Sequence, residues 1–473
     1  MEYTLIKTEL AGLYQDHLAM IDAINRNYLI YEGQHHWTTP DGLDYVPTKK
    51  ITNLIQKLID TKARFIFGKQ LYFDFKPEVP DQKGSTVKQD EAAEKERLFE
   101  RILQENKFHS KILKAYKDCL IGSKVAIKLW SHENEGLKII FTPAQEFIAF
   151  YNEDDIDLLE KIIFVYNMND ETKPENQRIR KQTWSMAGGK CKLDEGIYSG
   201  KGALIEEVYK DHTTGLDFIP VIIIKNGGLT GATEGYSIID GLWDNQDSYN
   251  KLTSDDIDAL KFQMFGQDVV TDADENSLKS MKIAPKALID LQTDITADGR
   301  QAKMERLESH FSYKDKFADT IGRIKNDLYD IADVPNVSLE QLQGLVQSGK
   351  SMKALYWGII AATEEEWTEW GPALEQMVEF IFKEVEAYNL YKSKHIAQIE
   401  TRLEIHHYYP IPEDELAARE ADMNEVIAEV RSRKSYMKKW GEFEDPDAEI
   451  EQIQFEKQLL QDSYTQNLTQ DME

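Results

Sequence analysis

One short segment of this 473-residue chain has the residue types and the spacing of a nucleotide-binding loop. The segment from Gly344 to Ser351 reads GLVQSGKS and matches the pattern G-x-x-x-x-G-K-[ST] at every position. In such a loop the glycines let backbone N–H groups surround phosphates, the lysine reaches the β- and γ-phosphates, and the serine binds Mg²⁺. A P-loop ATPase of DNA packaging or remodelling that uses Gly344–Ser351 is therefore one hypothesis for this chain.

The residues around this segment favour a different interpretation. A nucleotide-binding loop directly follows a buried strand, whereas residues 336–343, NVSLEQLQ, are polar and follow Pro335. The site also needs an apolar strand that ends in an acidic Mg²⁺ ligand, and the nearest candidate, Ala287–Asp290, lies upstream. We therefore expect a loop that leads into a helix starting near Ser348 and Gly349.

No other residue pattern in the sequence indicates catalysis. The neighbouring histidines His35-His36 and His406-His407 lack the HxxxH or HExxH spacing of a metal site. The acidic runs Asp255-Asp256 and Glu364–Glu366 are typical of a solvated helix face. The sequence therefore predicts no enzyme, no catalytic residue, no metal and no cofactor.

The chain is strongly acidic, with 84 Asp and Glu against 56 Lys and Arg and a formal net charge of −28. Tight binding to nucleic acid or to an anionic membrane depends on Lys and Arg, so this balance disfavours both. Hydrophobic residues make up 41% of the chain, which is enough for a core. Cys119 and Cys191 are far apart, which favours a reducing compartment over a disulfide framework. We expect no signal peptide and no membrane span.

Hydrophobic periodicity predicts an α+β chain that is predominantly helical. Helices are predicted near residues 10–24, 51–67, 89–121, 238–264, 312–332 and 349–391. Strands are predicted near 71–75, 125–130, 137–141, 162–166, 203–209 and 221–224, with smaller pieces at 269–270, 287–291 and 304–307. The Gly-rich residues 226–235 are expected to form a flexible junction.

The last predicted long helix and the C-terminal tail have distinct features. Pro372 lies inside the helix, so a kink near 368–372 is expected. Trp357, Trp367 and Trp370 are expected to anchor its packing. The tail from residue 411 onward carries 17 acidic and 7 basic residues.

This order of elements resembles the portal proteins of tailed bacteriophages, in the branch typical of long non-contractile tails. The likeness rests on Lys49–Lys69, a helix that ends in aromatic-Gly-Lys, and on Pro220–Phe262, which leads into a long helix. It also rests on Asp445–Ile453, with the pattern Asp-x-x-x-Glu-x-x-x-Ile, and on Ser348–Lys353, where the family has Ser-Gly-x-Ala-Leu-Lys. Ser351-Met352 departs from Ala-Leu, and this departure alone creates the match to a nucleotide-binding loop.

The resemblance implies a portal-type fold in a ring of about twelve subunits. The implied regions are a wing at 1–237, stem helices at 238–265 and 312–333, a clip at 266–311, a tunnel loop at 334–348, a long kinked wing helix at 349–399, and a crown with the C-terminal tail at 400–473. Residues of the tunnel loop and of the following helix start would face DNA. These are Asn336, Gln341, Gln343, Gln347, Lys350 and Lys353.

The same resemblance implies partners and a location. The chain would bind copies of itself, double-stranded DNA transiently, the terminase large subunit, a head-completion or adaptor protein, and the major capsid and scaffolding proteins. It would be assembled in the bacterial cytoplasm and lie at the capsid portal vertex of the virion, where its channel passes DNA during packaging and ejection. A scaffold or adaptor other than a portal, suggested by the acidic helical tail, stays open as a third hypothesis.

Overall fold

The computed structural model describes residues 15–456 except for 39–41, 44, 79–86, 133–135, 170–172, 174–175, 265–266, 276–278, 280–291, 294–298, 308–312, 337–353, 393–394, 411–414 and 441–447. The chain divides into two compact units. The first unit comprises Met1–Asn336 and Gly358–Tyr409, and the second comprises Val337–Trp357 and Pro410–Glu473. Each unit is described below by itself.

Two helices begin the first unit, as the periodicity predicts. They are α1, Gln15–Tyr31, and α2, Leu54–Phe67. The side chain of Asn53 accepts a hydrogen bond from the Gln56 amide at 3.1 Å and so caps the start of α2. Nine residues of α2 are buried, which makes it a central core helix.

A strand and two helices follow where one strand and one helix were predicted. Strand β1 is Tyr72–Pro77, α3 is Val87–Glu105 and α4 is Phe108–Gly122. The single helix predicted at 89–121 is wrong, because Lys107 adopts a left-handed backbone with φ of 51° between α3 and α4. The buried Asn106 side chain fixes this break by donating to the Ile102 and Leu137 carbonyls, both at 2.9 Å.

Two antiparallel sheets form the β-rich part of the first unit. A three-stranded sheet has the order β3-β2-β9, and a five-stranded sheet has the order β4-β5-β6-β7-β8. The strands are β2 Lys124–His132, β3 Gly136–Pro143, β4 Phe147–Tyr151, β5 Leu159–Asn167, β6 Arg178–Ala187, β7 Lys190–Ser199, β8 Leu204–Thr213 and β9 Val221–Lys225. The core between them includes Ala126, Phe164, Trp184 and Leu193.

The sequence predicted five of these eight strands and missed β4, β6 and β7. In β6 and β7 polar and charged residues separate most of the buried apolar ones, so no long apolar run marks either strand. Strand β8 is exposed at all ten of its residues.

Two long helices and a hairpin follow in the first unit. Helix α5 is Ile238–Met264, with the predicted bounds, strands β10 and β11 are Gln267–Thr271 and Lys303–Leu307, and α6 is Lys314–Ile331. Strands β10 and β11 pair antiparallel, with Val269 opposite Glu305. The predicted strand piece at 287–291 lies outside the described residues.

The last long helix, α7, is Trp357–Ala387 and continues through Pro372. Residues 349–353 of the predicted helix lie outside the described part of the chain, and the kink stays a prediction. Trp370 is 2% exposed and contacts the Phe67 ring at a centroid distance of 5.0 Å, as expected of an anchor. The same expectation is wrong for Trp357, which is 69% exposed.

After α7, strand β12, Thr401–His406, pairs antiparallel with β1. The first unit therefore extends to Tyr409, nine residues beyond the predicted start of the crown at 400. The second unit contains α8, Glu415–Ile427, α9, Arg433–Trp440, and helical residues at 448–456. Across the described residues, no helix has the length and hydrophobicity to cross a membrane.

Candidate functional site: the paired long helices

Helices α5 and α6 lie antiparallel to each other. The Tyr313 hydroxyl, just before α6, donates to the Asp256 carboxylate near the end of α5 at 3.3 Å. At the opposite ends, a methyl group on Gly241 would lie 3.8 Å from the Ile331 side chain. The hairpin β10–β11 therefore projects from one end of a helical pair.

An extended segment at 48–54 runs along one face of α5 and is bound there by polar groups. The polar ladder, as we call it, joins every second residue of this segment to every fourth residue of the helix. Its rungs are Thr48 N to Asp258 Oδ2 at 2.8 Å, Lys50 N to Ser254 Oγ at 3.0 Å, Thr52 N to Asn250 Oδ1 at 3.0 Å, and Leu54 N to Gln246 Oε1 at 2.9 Å. All four helix residues are buried.

Gln246 also closes the start of α2. Its Oε1 accepts from the Leu54 amide and from the Ile55 amide, the latter at 3.2 Å. Its Nε2 donates to the Thr52 carbonyl at 2.9 Å. Since the first amides of a helix have no partner within the helix, this fully buried side chain joins the long helix to the N-terminal core.

His35 extends the ladder into the core. Its Nε2 donates to the Ile30 carbonyl at 3.0 Å, and its Nδ1 accepts from the Asn250 Nδ2 at 2.7 Å. Burial lowers the pKa of His35 below its ordinary value. These contacts favour the neutral ring, and they use both ring nitrogens to join the segment after α1 to α5.

A second face of α5 is polar and exposed, as the periodicity predicts for a helix with a narrow apolar stripe. On this face Asp240, Asp244, Ser248, Lys251 and Asp255 are exposed, and they recur at steps of three and four. The charges of α5 are six aspartates against two lysines. The solvent-exposed surface of α5 is therefore acidic, which disfavours tight binding of a polyanion.

Helix α6 is poorly covered in the single chain. Of its 18 residues, Leu328 and Tyr329 are buried. Its remaining stripe residues Phe317, Ile321 and Ile324 keep intermediate exposure. An amphipathic helix of this kind is normally stabilised by burial of its apolar stripe. In α6 part of this stripe is not buried within the single chain.

The structure locates one of the six residues predicted to face DNA. Asn336 follows α6 and donates from Nδ2 to the Asn326 Oδ1 at 2.9 Å, with both side chains exposed. Gln341, Gln343, Gln347, Lys350 and Lys353 lie outside the described residues. The segment Gly344–Ser351 lies there as well, so no contact in the described structure supports a nucleotide site.

The acidic run Glu364–Glu366 is not wholly solvated, which corrects the sequence expectation. Glu366 pairs with Lys62 at 2.9 Å and accepts a hydrogen bond from the Tyr116 hydroxyl. The two ionic side chains are 16% and 6% exposed. Burial, followed by the Glu366 charge, raises the pKa of Tyr116, which keeps this hydroxyl a donor. Lys62, Tyr116 and Glu366 thus form a largely buried polar contact that links α2, α4 and α7.

Another set of buried polar side chains lies between the two sheets. Lys128 donates to the Tyr166 hydroxyl at 2.6 Å and to Gln182 Oε1 at 2.9 Å. Burial, then the Arg180 charge, lowers the pKa of Lys128 to about 7. Glu195 accepts from Arg180 at 2.6 Å and from Gln182 at 2.7 Å. These bonds join side chains of adjacent strands and sheets, so we interpret the set as structural.

In the described part of the chain, one group of potential metal ligands comes together on the ribbon β1–β12. Asp74, Glu404 and His406 place one ligand atom each within 4.8 Å of one another. The Lys76 ammonium already binds Glu404 and lies 3.5 Å from Asp74. Hydrogen bonding to Lys76 lowers the pKa of Glu404 despite some burial. Lys76 therefore offsets one of the two carboxylate charges, and Arg402, whose Nε lies 3.6 Å from Glu404 Oε1, offsets part of the other.

Sequence reasoning missed the residues that attach α5 to the N-terminal core. Gln246, Asn250, Ser254 and Asp258 recur every four positions, so their pattern was visible. Polar residues at this spacing ordinarily indicate a solvated face. The extended partner segment that buries them could not be inferred from the helix alone.

Comparison with known proteins finds one protein family that matches nearly the whole chain. The family described as "Phage portal protein, SPP1 Gp6-like" matches residues 11–462. No curated protein matches the sequence.

Proposed function

Because this chain belongs to the family of phage portal proteins of the SPP1 Gp6-like type, we propose that it assembles into a ring at one vertex of the capsid. The axial channel of this ring would pass double-stranded DNA during packaging and ejection. A ring of about twelve copies is our expectation for a closed cyclic assembly of this kind. The role is structural, and ATP hydrolysis belongs to the packaging motor.

The regions of the proposed ring follow the elements of the chain. Residues 1–237 and α7 form the wing, α5 and α6 form the stem, and residues 266–311, which include β10 and β11, form the clip. The tunnel loop occupies 334–348, and the crown occupies the C-terminal region beyond α7. The clip is the docking platform for the terminase large subunit and later for the head-completion or adaptor protein, while capsid and scaffolding proteins surround the ring.

The incompletely buried apolar stripe of α6 is the main observation that supports this proposal. Its apolar stripe is only partly buried, and Ile331 at its end and Leu260 on α5 are each 48% exposed. In a ring, the neighbouring stem would cover these residues and supply the missing burial. Each copy would then present two different surfaces to its neighbours, which is the condition for a closed cyclic assembly.

Strand β8 is a second uncovered surface that supports the same proposal. It lies at the edge of the five-stranded sheet and exposes Leu204, Ile205, Val208 and Tyr209 by 39–53%. Exposed apolar edge strands favour association with another chain. A neighbouring copy in the ring would cover this edge.

The acidic outer face of α5 suits a channel through which DNA must slide. Phosphates held by Lys and Arg would slow translocation, because each such contact adds to affinity. Neutral side chains such as Asn336 can donate hydrogen bonds to phosphates without a strong charge interaction. We propose that Asn336, Gln341, Gln343 and Gln347 contact DNA in this way, with Lys350 and Lys353 as weak phosphate contacts.

Native mass spectrometry and negative-stain microscopy test the proposal. The unmodified chain should form rings with an axial hole, and the double substitution Leu260→Asp with Ile331→Asp should strongly reduce the ring population. Leu158→Asp is the matched control, because Leu158 is 52% exposed but lies in the turn before β5. A chain that stays monomeric under all assembly conditions would refute the proposal.

The same preparation tests the ATPase hypothesis. We expect no Mg-ATP hydrolysis by the isolated rings and no effect of Lys350→Ala on ring formation. Hydrolysis that depends on Lys350 would instead support a nucleotide site at Gly344–Ser351.

A further inference from the structure

A group of exposed apolar side chains lies just before the polar ladder and beside the end of α5. We call it the segment patch and define it as Tyr45, Val46 and Phe262, which are 40%, 91% and 55% exposed. The rings of Tyr45 and Phe262 contact each other edge to face at a centroid distance of 4.9 Å, so the patch joins the segment to the helix. Exposed apolar patches of this kind indicate a site of interaction with another molecule.

The segment patch and α6 lie on opposite sides of α5. The Asp256 carboxylate accepts from the Tyr313 hydroxyl, beside α6, at 3.3 Å. The side chains of Ser254 and Asp258 instead accept from backbone amides of the extended segment, at 3.0 and 2.8 Å. Two residues of a helix turn by about 200°, so these two side chains point away from α6. Phe262 lies one turn beyond Asp258, on the same side.

The α6 side of the pair is incompletely covered as well. Tyr313 is 38% exposed and Ile331 is 48% exposed, while Phe317 and Ile321 between them keep intermediate exposure. One chain therefore has two different apolar surfaces, one on each side of α5. A contact between two different surfaces of identical chains is the kind that generates a ring when its rotation closes.

The two surfaces also carry opposite charges. Residues 45–53, YVPTKKITN, contain two basic and no acidic residues, and Lys49 and Lys50 are both exposed. On α6, Asp315 and Asp319 are exposed and lie one turn apart on the same side of the helix. The lysines directly before and after Asp315 point in other directions, because successive residues of a helix are about 100° apart.

The opposite charges lie at similar heights along α5. The Lys50 amide binds Ser254, and Tyr313, two residues before Asp315, binds Asp256. Ser254 and Asp256 differ by about 3 Å along the helix axis. A cyclic ring relates its copies by rotation alone, so surfaces at equal height meet when the stem runs along the ring axis.

We infer that the segment patch and Lys50 of one copy pack against α6 of the next copy, an inference that rests on the proposed function as a ring. The patch covers apolar side chains of α6 that the single chain leaves exposed, and Lys50 pairs with Asp315 of the neighbouring copy. One copy cannot make this contact within itself, because α5 separates the two surfaces. A second copy is favoured over a different protein, because both halves of the contact are present on one chain.

Charge reversal tests the ion pair, with native mass spectrometry at low salt, since salt screens exposed charges. Lys50→Glu and Asp315→Lys should each raise the concentration at which half of the chains are in rings by at least about threefold, and the double variant should restore the unmodified value. Lys190→Glu is the matched control, because it changes an exposed lysine at the start of β7 by the same charge. It should leave the rings unchanged.

Val46 tests the apolar part of the contact. Val46→Asp should raise the same concentration at least about tenfold, as expected for the loss of a packed interface side chain. Val46→Leu keeps an apolar side chain and should assemble like the unmodified chain. Circular dichroism during heating checks that the variants remain folded.

Cross-linking locates the contact. The variant Lys50→Cys with Asp315→Cys, treated with a bismaleimide, should give a ladder of covalent oligomers, because each copy is joined to a neighbour on both sides. The native thiols Cys119 and Cys191 are buried, so they should not react in the folded chain. Each single cysteine variant is a control and should give no ladder.

The outcomes separate this inference from the proposed function. Rings that form without a covalent ladder, or single charge reversals that the double variant does not rescue, overturn the inference and leave the proposed ring intact. A covalent ladder without closed rings in microscopy refutes the ring and supports the contact. Monomers that give no cross-links refute both.

Discussion

The side chain of Asn250 accepts a hydrogen bond from the backbone amide of Thr52 at 3.0 Å, and this contact is the central rung of the polar ladder. Four residues of a helix rise about 6 Å, and two residues of an extended segment span nearly the same length, about 6.6 Å. Successive rungs therefore stay in register along α5. This match explains why polar residues at every fourth position can hold a long helix to an extended segment.

Removal of the Asn250 side chain should destabilise the first unit. Asn250→Ala leaves the Thr52 amide, the Gln246 Nε2 and the His35 Nδ1 without the partner that Asn250 supplies. Buried polar groups without partners are costly, so we expect a loss of about 3 kcal/mol in the free energy of unfolding. Urea unfolding measures it. Ser248→Ala, at an exposed position on α5, is the control and should change stability by less than about 0.5 kcal/mol.

The His35 contact predicts a dependence of stability on pH. The pKa of His35 in the folded chain lies below the ordinary 6.5, with burial as the main cause. A proton on Nδ1 would place two donors, Nδ1–H and the Asn250 amide, against each other. The stabilisation is therefore complete above pH 6.5 and is lost as the pH falls through the folded value.

Urea midpoints at pH 7.5 and pH 5.5 test this. We expect the unmodified chain to lose more stability between these values than His35→Gln does. His36→Gln is the matched control and should keep the full pH dependence. An equal loss in the unmodified chain and in His35→Gln would contradict the role of His35.

Regular periodicity made the long helices predictable, and side-chain partners far along the chain made other features unpredictable. Helix α5 was predicted with its bounds because its apolar positions repeat over 27 residues. The break at Lys107 depends on Asn106, whose side chain bonds to β3 more than 30 residues away. Pairing of β1 with β12 joins residues separated by more than 320 positions. Such contacts leave no local pattern.

Glu384 gives a prediction with the opposite pH dependence. Its side chain is 1% exposed, and burial raises its pKa from 4.5 to about 7, although the Ser131 hydroxyl donates to it. The folded chain therefore favours the protonated acid. This stabilisation is present below pH 4.5 and is lost as the pH rises through about 7.

Glu384→Gln should mimic the protonated acid and stabilise the chain at alkaline pH. From the change in pKa, we expect a gain on the order of 3 kcal/mol at pH 8 and less than about 1 kcal/mol at pH 5. Urea unfolding at the two pH values measures the difference. Glu379→Gln, on the exposed side of α7, should show no comparable gain. A gain equal at both pH values would refute the assignment.

Removal of one partner from the buried pair Lys62–Glu366 should cost far more stability than removal of one partner from a surface pair on α7. Lys62→Met leaves the Glu366 carboxylate in the core with the Tyr116 hydroxyl but without its cation. Loss of one partner of a buried pair costs about 3–5 kcal/mol. Lys383→Met breaks the exposed pair with Glu379 and should cost less than about 1 kcal/mol.

The double variant Lys62→Met with Glu366→Leu distinguishes charge burial from packing. We expect it to recover most of the stability lost in Lys62→Met, because no unpaired charge remains. A double-mutant cycle in urea gives the coupling energy. Additive losses would show that the two side chains act independently.

The last prediction concerns Gly235. The Gly-rich residues 226–235 were expected to form a flexible junction, but in the structure Gly235 is packed tightly against backbone atoms. A methyl group on it would lie 2.4 Å from the Ser123 carbonyl oxygen and 2.7 Å from the Asn226 amide nitrogen. These two backbone atoms already share a hydrogen bond at 2.8 Å. Gly235→Ala must therefore displace the end of β9 just before α5 begins, and we expect a loss of about 2–3 kcal/mol.

Gly322→Ala is the matched control for Gly235→Ala, because a methyl group added to Gly322 on α6 would have nothing within 4 Å of it. That substitution should instead stabilise the helix by about 0.5–1 kcal/mol, since alanine loses less conformational entropy. Urea unfolding of both variants measures the two changes. Opposite signs would establish Gly235 as a fixed packing point between the sheet and the long helix, and equal small effects would restore the interpretation as a flexible junction.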